Sequence, residues 1–221
     1  MATSGTGRRI RLWDLPIRLV HWSLVLLLAS LWLTWRQGNT PLHEKLGLVT
    51  LGLLVFRILW GVIGSAPARF AQFVKGPRQI ALYLRGASPT SVGHNPLGAL
   101  SVIALLGLMI AEVGLGLFTQ DVDGIEAGPL AHYVSYETAD RARDWHAVLF
   151  NVILAAVAVH VLAILFYLVV KRDNLVGPMI TGRKSVRDEV QEPRRAPLWR
   201  AILAAIVAAA IAWWISKGAR F

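Results

Sequence analysis

The sequence predicts an all-α integral membrane protein: a helical bundle assembled from long apolar segments. Of its 221 residues, 55% are apolar, and its mean hydropathy is +0.53. Five apolar runs approach or exceed the length that crosses a bilayer, which a soluble domain of this size would not contain. They cover residues 15–35, 46–63, 96–118, 145–170 and 198–215. We expect the first four to form a four-helix bundle and the last to add a fifth transmembrane helix.

The first apolar run follows a basic stretch and could be mistaken for a signal peptide. It is longer than a typical signal core, contains Arg18 and His21, and is followed by no small-residue cleavage site. We therefore treat it as a retained helix. The connection at residues 36–42 is short and contains Gly and Pro, so the first two helices should pack antiparallel.

The remaining connections are longer and polar. In the basic second connection, residues 77–84 are expected to form a short amphipathic surface helix, and residues 128–144 of the third an interfacial helix. The fifth run is the shortest and could instead lie on the membrane surface, which would leave four spans. We divide the chain into a transmembrane domain at 1–184, a charged cytoplasmic linker at 185–197 and a C-terminal apolar helix at 198–221.

Charge is distributed unevenly along the chain, although its net value is +10. Basic residues precede the first run and fill the second and fourth connections, whereas residues 119–144 contain six acids and two bases. This alternation follows the positive-inside rule, with the N-terminus in the cytoplasm and the acidic connection outside. The pattern argues for a membrane and its lipids as partners and against nucleic acid.

Histidine is the residue that carries chemistry here, because the chain has no cysteine. Cysteine-free chains cannot form iron–sulfur clusters, thiolate metal sites or thioether-linked haem. His146 and His160 are fourteen residues apart, which places them on one helix face about 21 Å apart. By the predicted orientation, His21 lies at the depth of His160, and His43 at the depth of His146. Four histidines paired at two depths suit two bis-imidazole haems.

Other residues in the spans are candidates for supporting roles. Gly47, one turn after His43, would leave room for a flat macrocycle, or would simply allow close helix packing. Arg57 lies near the depth of His21 and His160; it would pair with a haem propionate or extend to the interface. Glu112 would accept a quinol proton or a hydrogen bond from a haem ligand, or be a neutral structural acid. His132 would line a quinol pocket or be a solvated surface residue.

Several stretches match a known family in order and spacing. They are WDLPIRLVHW at 13–22, HEKLG at 43–47, RILWG at 57–61, GPLAHYVS at 128–135, Trp145–His146, His160 and KRDNLVGPMITGRK at 171–184. Over roughly residues 10 to 184 the chain resembles the bacterial diheme b-type cytochromes, which include the b-561 type and the cytochrome b subunit of nickel–iron hydrogenases. Glu112 and the helix at 198–215 depart from the family pattern.

The resemblance implies two haem b groups, with His21, His43, His146 and His160 as axial ligands in the pairs His21/His160 and His43/His146. It implies a bacterial inner-membrane protein that passes electrons between membrane quinone and a periplasmic cytochrome c or oxidoreductase subunit. An enzymatic variant oxidises quinol or superoxide at the outer haem. The alternative of a different class is a histidine-based metal-ion or proton transporter. A membrane anchor with structural histidines would not explain why the histidines match in depth.

Overall fold

Five long helices dominate the computed structural model, which describes residues 8–86, 93–186 and 191–220. Each is long and apolar enough to cross a membrane. They are α1 (Leu15–Arg36), α2 (Thr40–Ile63), α5 (Pro96–Gly116), α6 (Tyr136–Val169) and α8 (Leu198–Ser216). The prediction of an all-α membrane bundle with a fifth apolar helix is therefore confirmed, and the chain is a multi-pass membrane protein.

The second helix is the centre of the bundle, because α1, α5 and α8 all pack against it, and α6 packs against α5. Helix α8 runs antiparallel to α2. At its start, Arg200 donates to the carbonyl of Ile63, where α2 ends. Small residues permit the close approach: Ala204 and Ala208 are buried, and Ala212 faces Gly52.

A carboxylate fixes the beginning of the first helix. Oδ1 of Asp14 accepts a hydrogen bond from the backbone N–H of Ile17 at 3.0 Å, as an N-cap residue does. Its Oδ2 accepts from the indole N–H of the buried Trp60 at 3.0 Å. One side chain thus caps α1 and ties it to the end of α2.

A two-stranded antiparallel ribbon, absent from the sequence-based prediction, joins the two ends of the predicted transmembrane domain. Strand β1 (Arg8–Arg11) pairs with β2 (Arg183–Val186). The short helix α7 (Val176–Thr181) precedes β2, and Gly182 between them has a φ of 78°, which glycine adopts without strain. The boundary predicted at 184/185 falls inside β2. The predicted linker is described only in part, because residues 187–190 lie outside the described ranges.

We name the two ends of the bundle by what lies there. The ribbon side carries β1, β2 and the starts of α1, α5 and α8; the loop side carries residues 117–135 and the end of α8. On the ribbon side lie two further helices, α3 (Phe70–Phe73) and α4 (Pro77–Leu84). Helix α4 confirms the predicted short amphipathic helix. Its Tyr83 hydroxyl is hydrogen-bonded to that of Tyr167 at the end of α6.

The predicted interfacial helix at residues 128–144 does not form as a separate element. Only Ala131–Tyr133 make a short 3-10 turn, and α6 begins at Tyr136. The polar stretch before Trp145 is therefore the first part of a helix of 34 residues, about 51 Å long. Hydropathy marks only the portion of a helix that lies in lipid, so it missed this extension.

Candidate functional site

Four histidines lie inside the spans at two levels of the bundle. His146 and His160 are both on α6, fourteen residues or about 21 Å apart. His43 is in the first turn of α2 on the loop side, and His21 lies in the second turn of α1 on the ribbon side. The helix directions thus bring the two histidines of each expected pair, His43 with His146 and His21 with His160, to the same level.

His43 and His146 face each other on the loop side. Their ring centroids are 6.3 Å apart and their planes cross at 87°. Nδ1 of His43 lies 3.0 Å from the carbonyl oxygen of Leu31, and Nδ1 of His146 lies 3.0 Å from that of Glu112. A carbonyl oxygen only accepts, so each Nδ1 carries the proton and each Nε2 keeps a lone pair. Both rings are therefore in the tautomer that binds a metal through Nε2.

The separation of these rings fits a single iron between them. A histidine–metal bond is about 2.0 Å, and a ring nitrogen lies about 1.1 Å from its centroid, so two imidazoles that share one metal ion would have centroids at most about 6 Å apart. The observed 6.3 Å agrees with this sum. The donor set, two neutral imidazoles oriented by carbonyl groups, fits a bis-histidine haem b.

The ribbon-side pair is His21 on α1 and His160 on α6. Nδ1 of His160 lies 3.1 Å from Oγ of Ser101 on α5. Nδ1 of His21 is buried and has no hydrogen-bond partner among the described residues. Within the described part of the chain, His21 thus lacks the Nδ1 acceptor that orients His43 and His146.

Four glycines of α2 and α5 fall into two groups, according to whether they border open space or another side chain. A methyl group added at Gly47 or Gly114 would meet no atom within 4 Å, so both border open space. Gly52 contacts α8 and Gly61 lies under the ring of Phe70, so these two serve helix and loop packing.

One further glycine borders the His146 ring. A Cβ at Gly116 would lie 3.1 Å from Cε1 of His146, so this glycine makes room for the ring itself.

Arg57 is buried, 5% exposed, at the ribbon-side end of α2. Nη1 donates to the carbonyl oxygen of Ala68 at 3.4 Å, and the guanidinium lies 4.9 Å from the centroid of the Phe70 ring. The side chain is therefore directed into the protein beneath the connection that follows α2. It uses one of its five N–H donors in this contact.

Glu112 lies beside the loop-side pair. Its Oε1 is 3.3 Å from Nδ1 of His146, and its buried Oε2 has no hydrogen-bond partner among the residues that the structure describes. His132 is not part of this group. Its ring is exposed on the loop side, lies against Tyr133 at a tilt of 39°, and accepts a hydrogen bond from Arg220 at 3.4 Å.

Some residues around the histidines were not found from the sequence. Ser101, next to His160, and Thr34, whose Oγ1 is 3.4 Å from Nδ1 of His43, are single hydroxyl groups in apolar runs at histidine depth. A lone hydroxyl residue in an apolar run, at the depth of a histidine, is the sequence signal that could have identified both.

His94 appears from the sequence to be a surface residue, but it packs between Trp13 and Phe73, with centroid distances of 4.7 and 4.5 Å. Burial, and secondly the charge of Arg57, lower the pKa of His94 to about 4.

The histidines occur as pairs and not as a cluster. Among residues 8–86, 93–186 and 191–220, no three His, Asp or Glu side chains converge to hold a bare metal ion. A helical membrane bundle with paired histidines at two levels has the architecture of a b-type cytochrome, in which porphyrin supplies the other four iron ligands.

Comparison with known proteins agrees with this class. The family model described as prokaryotic cytochrome b561 matches residues 12–182, well over half of the chain. The chain belongs to this family and is a membrane haem b protein of electron transfer.

Three curated relatives are similar over most of their length. The Probable Ni/Fe-hydrogenase 1 B-type cytochrome subunits of Escherichia coli K12 and O157:H7 are each 23% identical over 209 residues, covering 78% of this chain and 89% of theirs. The Probable Ni/Fe-hydrogenase B-type cytochrome subunit of Bradyrhizobium diazoefficiens is 21% identical over 230 residues, covering 85% and 93%. No solved structure matches significantly.

Proposed function

We propose that this protein transfers electrons across the membrane through two haem b groups, held by His43 with His146 and by His21 with His160. The pairing of His43 and His146 carries the proposal: 6.3 Å between ring centroids, with both Nδ1 atoms bound to carbonyl oxygens. Haem b, when bound, supplies an iron that accepts and releases one electron at a time. Two levels about 21 Å apart on α6 span much of a hydrocarbon core of about 30 Å.

The protein's own groups set the properties of the ligands. The carbonyl groups of Leu31 and Glu112 accept hydrogen bonds from the Nδ1–H groups of His43 and His146, which orients the rings and makes Nε2 a better donor to iron. Ser101 can do the same for His160. Gly47 provides open space next to His43. Arg57 has N–H donors beyond the one bound to Ala68, and we assign one of them to a haem propionate.

The orientation of the protein in the membrane follows from the distribution of its charged residues. The ribbon side carries the arginines and lysines of β1, β2 and residues 69–85, whereas the loop side carries the acidic residues of 119–144. By the positive-inside rule the ribbon side faces the cytoplasm, and the protein lies in the bacterial inner membrane. His43 and His146 are then near the periplasmic side.

The redox partners are membrane quinone and a periplasmic protein, either a cytochrome c or an oxidoreductase subunit. Three relatives are named as hydrogenase cytochrome subunits, which favours an oxidoreductase subunit docked on the loop side. Glu112 beside His146 supports a variant of this function, in which quinol is oxidised near the periplasmic pair and the carboxyl group receives its proton.

The test begins with the full chain purified from cells supplied with ample haem. The proposal predicts a b-type absorption spectrum and reduction of the oxidised protein by a short-chain quinol. A colourless preparation that binds zinc would replace electron transfer by metal transport. A haem-loaded protein that neither ubiquinol nor menaquinol analogues reduce would remove quinone as a partner.

A further inference from the structure

A small cavity on the ribbon side is surrounded by positive charge. It has a volume of about 190 Å³ and lies between the start of α1, Gly182 and the segment before α8. Trp13 and Leu15 form its apolar wall. Four arginines line it: Arg11, Arg18, Arg183 and Arg195. No acidic residue is among the described residues that line it.

The charges of these arginines are not balanced within the described part of the chain, where none of the four forms an ion pair. Asp14, which stands between the lining residues Trp13 and Leu15 in the sequence, is engaged by Ile17 and Trp60. The ribbon even sets Arg11 directly opposite Arg183, and like charges facing each other across two strands are unfavourable.

The buried N–H of Arg18 is a second sign of a missing acceptor. Its Nη2 donates to the carbonyl of Ile180, whereas its Nε is buried without a hydrogen-bond partner among the described residues. A larger neighbouring cavity of about 550 Å³ differs in this respect, because there Lys184 pairs with Asp173 at 2.9 Å. The smaller cavity therefore lacks the negative charge that its neighbour contains.

The position of the cavity indicates where that charge comes from. Leu15, at the first residue of the first membrane span, lines it and is 57% exposed; Leu19, one turn further, is 58% exposed. The arginines are thus at the height of lipid headgroups, directly above an apolar helix face that acyl chains contact. Trp13 has the amphipathic ring that is common at this interface.

We propose that this cavity binds the phosphate of an anionic phospholipid, with the guanidinium groups around the phosphate and the acyl chains along Leu15 and Leu19. Guanidinium groups bind phosphate oxygens in bidentate geometry, and basic pockets at the cytoplasmic face of membrane proteins suit anionic lipids. A bound lipid would hold β1, β2 and α1 together by neutralising the charge that separates them. The proposal does not depend on haem binding.

The test uses the full haem-supplied protein in detergent, with bound lipids counted by native mass spectrometry at equal concentrations of dioleoylphosphatidylglycerol and dioleoylphosphatidylcholine. We expect the wild type to prefer phosphatidylglycerol by about tenfold. The double variant Arg11→Gln/Arg195→Gln should lose this preference. Arg78→Gln/Arg85→Gln, which removes the same charge from exposed sites on α4 and directly after it, should retain it. An unchanged elution volume checks the fold.

Three results would overturn the proposal. The first is a wild type without preference, and the second is two double variants that behave alike. The third is displacement of phosphatidylglycerol by inorganic phosphate at equal concentration, which would assign the cavity to a soluble anion. Asp188 and Glu189, outside the described residues, provide a further control. If Asp188→Asn/Glu189→Gln binds more phosphatidylglycerol than the wild type, the chain's own acids fill the cavity, which contradicts the proposal. Unchanged binding supports the lipid as the source of the negative charge.

Discussion

The carboxyl group of Glu112 lies 3.3 Å from Nδ1 of His146, the nitrogen that is also 3.0 Å from the Glu112 carbonyl oxygen. One residue therefore offers two acceptors to one ring N–H. A stronger acceptor at Nδ1 makes Nε2 a better electron donor to a bound metal, which lowers the reduction potential of that metal.

Removing the side-chain acceptor should raise the midpoint potential of the loop-side haem. For Glu112→Leu we expect a shift of about 1 kcal/mol, or about 40 mV for one electron, with Glu112→Gln in between. Redox titration followed by absorption measures it. Glu126→Gln, which alters an exposed acid on the loop side, is the matched control. Equal potentials in Glu112→Leu and the wild type would show that the carboxyl group does not act on His146.

Asp14 connects helix capping to bundle packing, so its replacement should destabilise the protein in two ways. Asp14→Ala removes the cap of α1, about 1 kcal/mol, and leaves the buried indole N–H of Trp60 without its acceptor, a further 1–3 kcal/mol or so. Asp14→Asn keeps the cap oxygen and should lose less. Thermal unfolding in detergent compares them: equal melting temperatures for the two variants would contradict the capping role, and a wild-type melting temperature for Asp14→Asn would contradict the role given to Trp60.

His94 should make stability depend on pH. Burial lowers its pKa in the folded protein to about 4, against about 6.5 when unfolded, so the unfolded chain binds more protons between these values. The stability that neutral His94 allows is therefore present above pH 6.5 and is lost as the pH falls towards 4, by a few kcal/mol at most. The melting temperature of the wild type should fall between pH 7.5 and 5. If His94→Phe shows the same fall, other groups are responsible.

Much of the fold could be predicted because hydropathy is a local property. The five membrane helices, the short helix α4 and the two levels of histidines all follow from runs and spacings within single segments. The extension of α6 back to Tyr136 was missed because its polar residues carry no membrane signal.

Contacts between segments that are distant in the sequence could not be predicted. Strands β1 and β2 are four residues each, mostly charged, and joined across more than 170 positions, so neither has an alternating apolar pattern. His94 looked like a surface residue because its neighbours in sequence are polar, whereas its contacts are Trp13 and Phe73. The acceptors at Leu31 and Glu112 are backbone carbonyl groups, which no side-chain motif records.

The most direct test of two histidine-bound haems at two levels is the number of haem b groups per chain, measured by the pyridine haemochrome assay with protein quantified independently. We predict two for the wild type, two for the exposed-residue control His132→Ala, and one each for His43→Ala and His160→Ala, with different remaining spectra in the last two. A wild type with fewer than two haems, or single-histidine variants that keep both, would contradict the account.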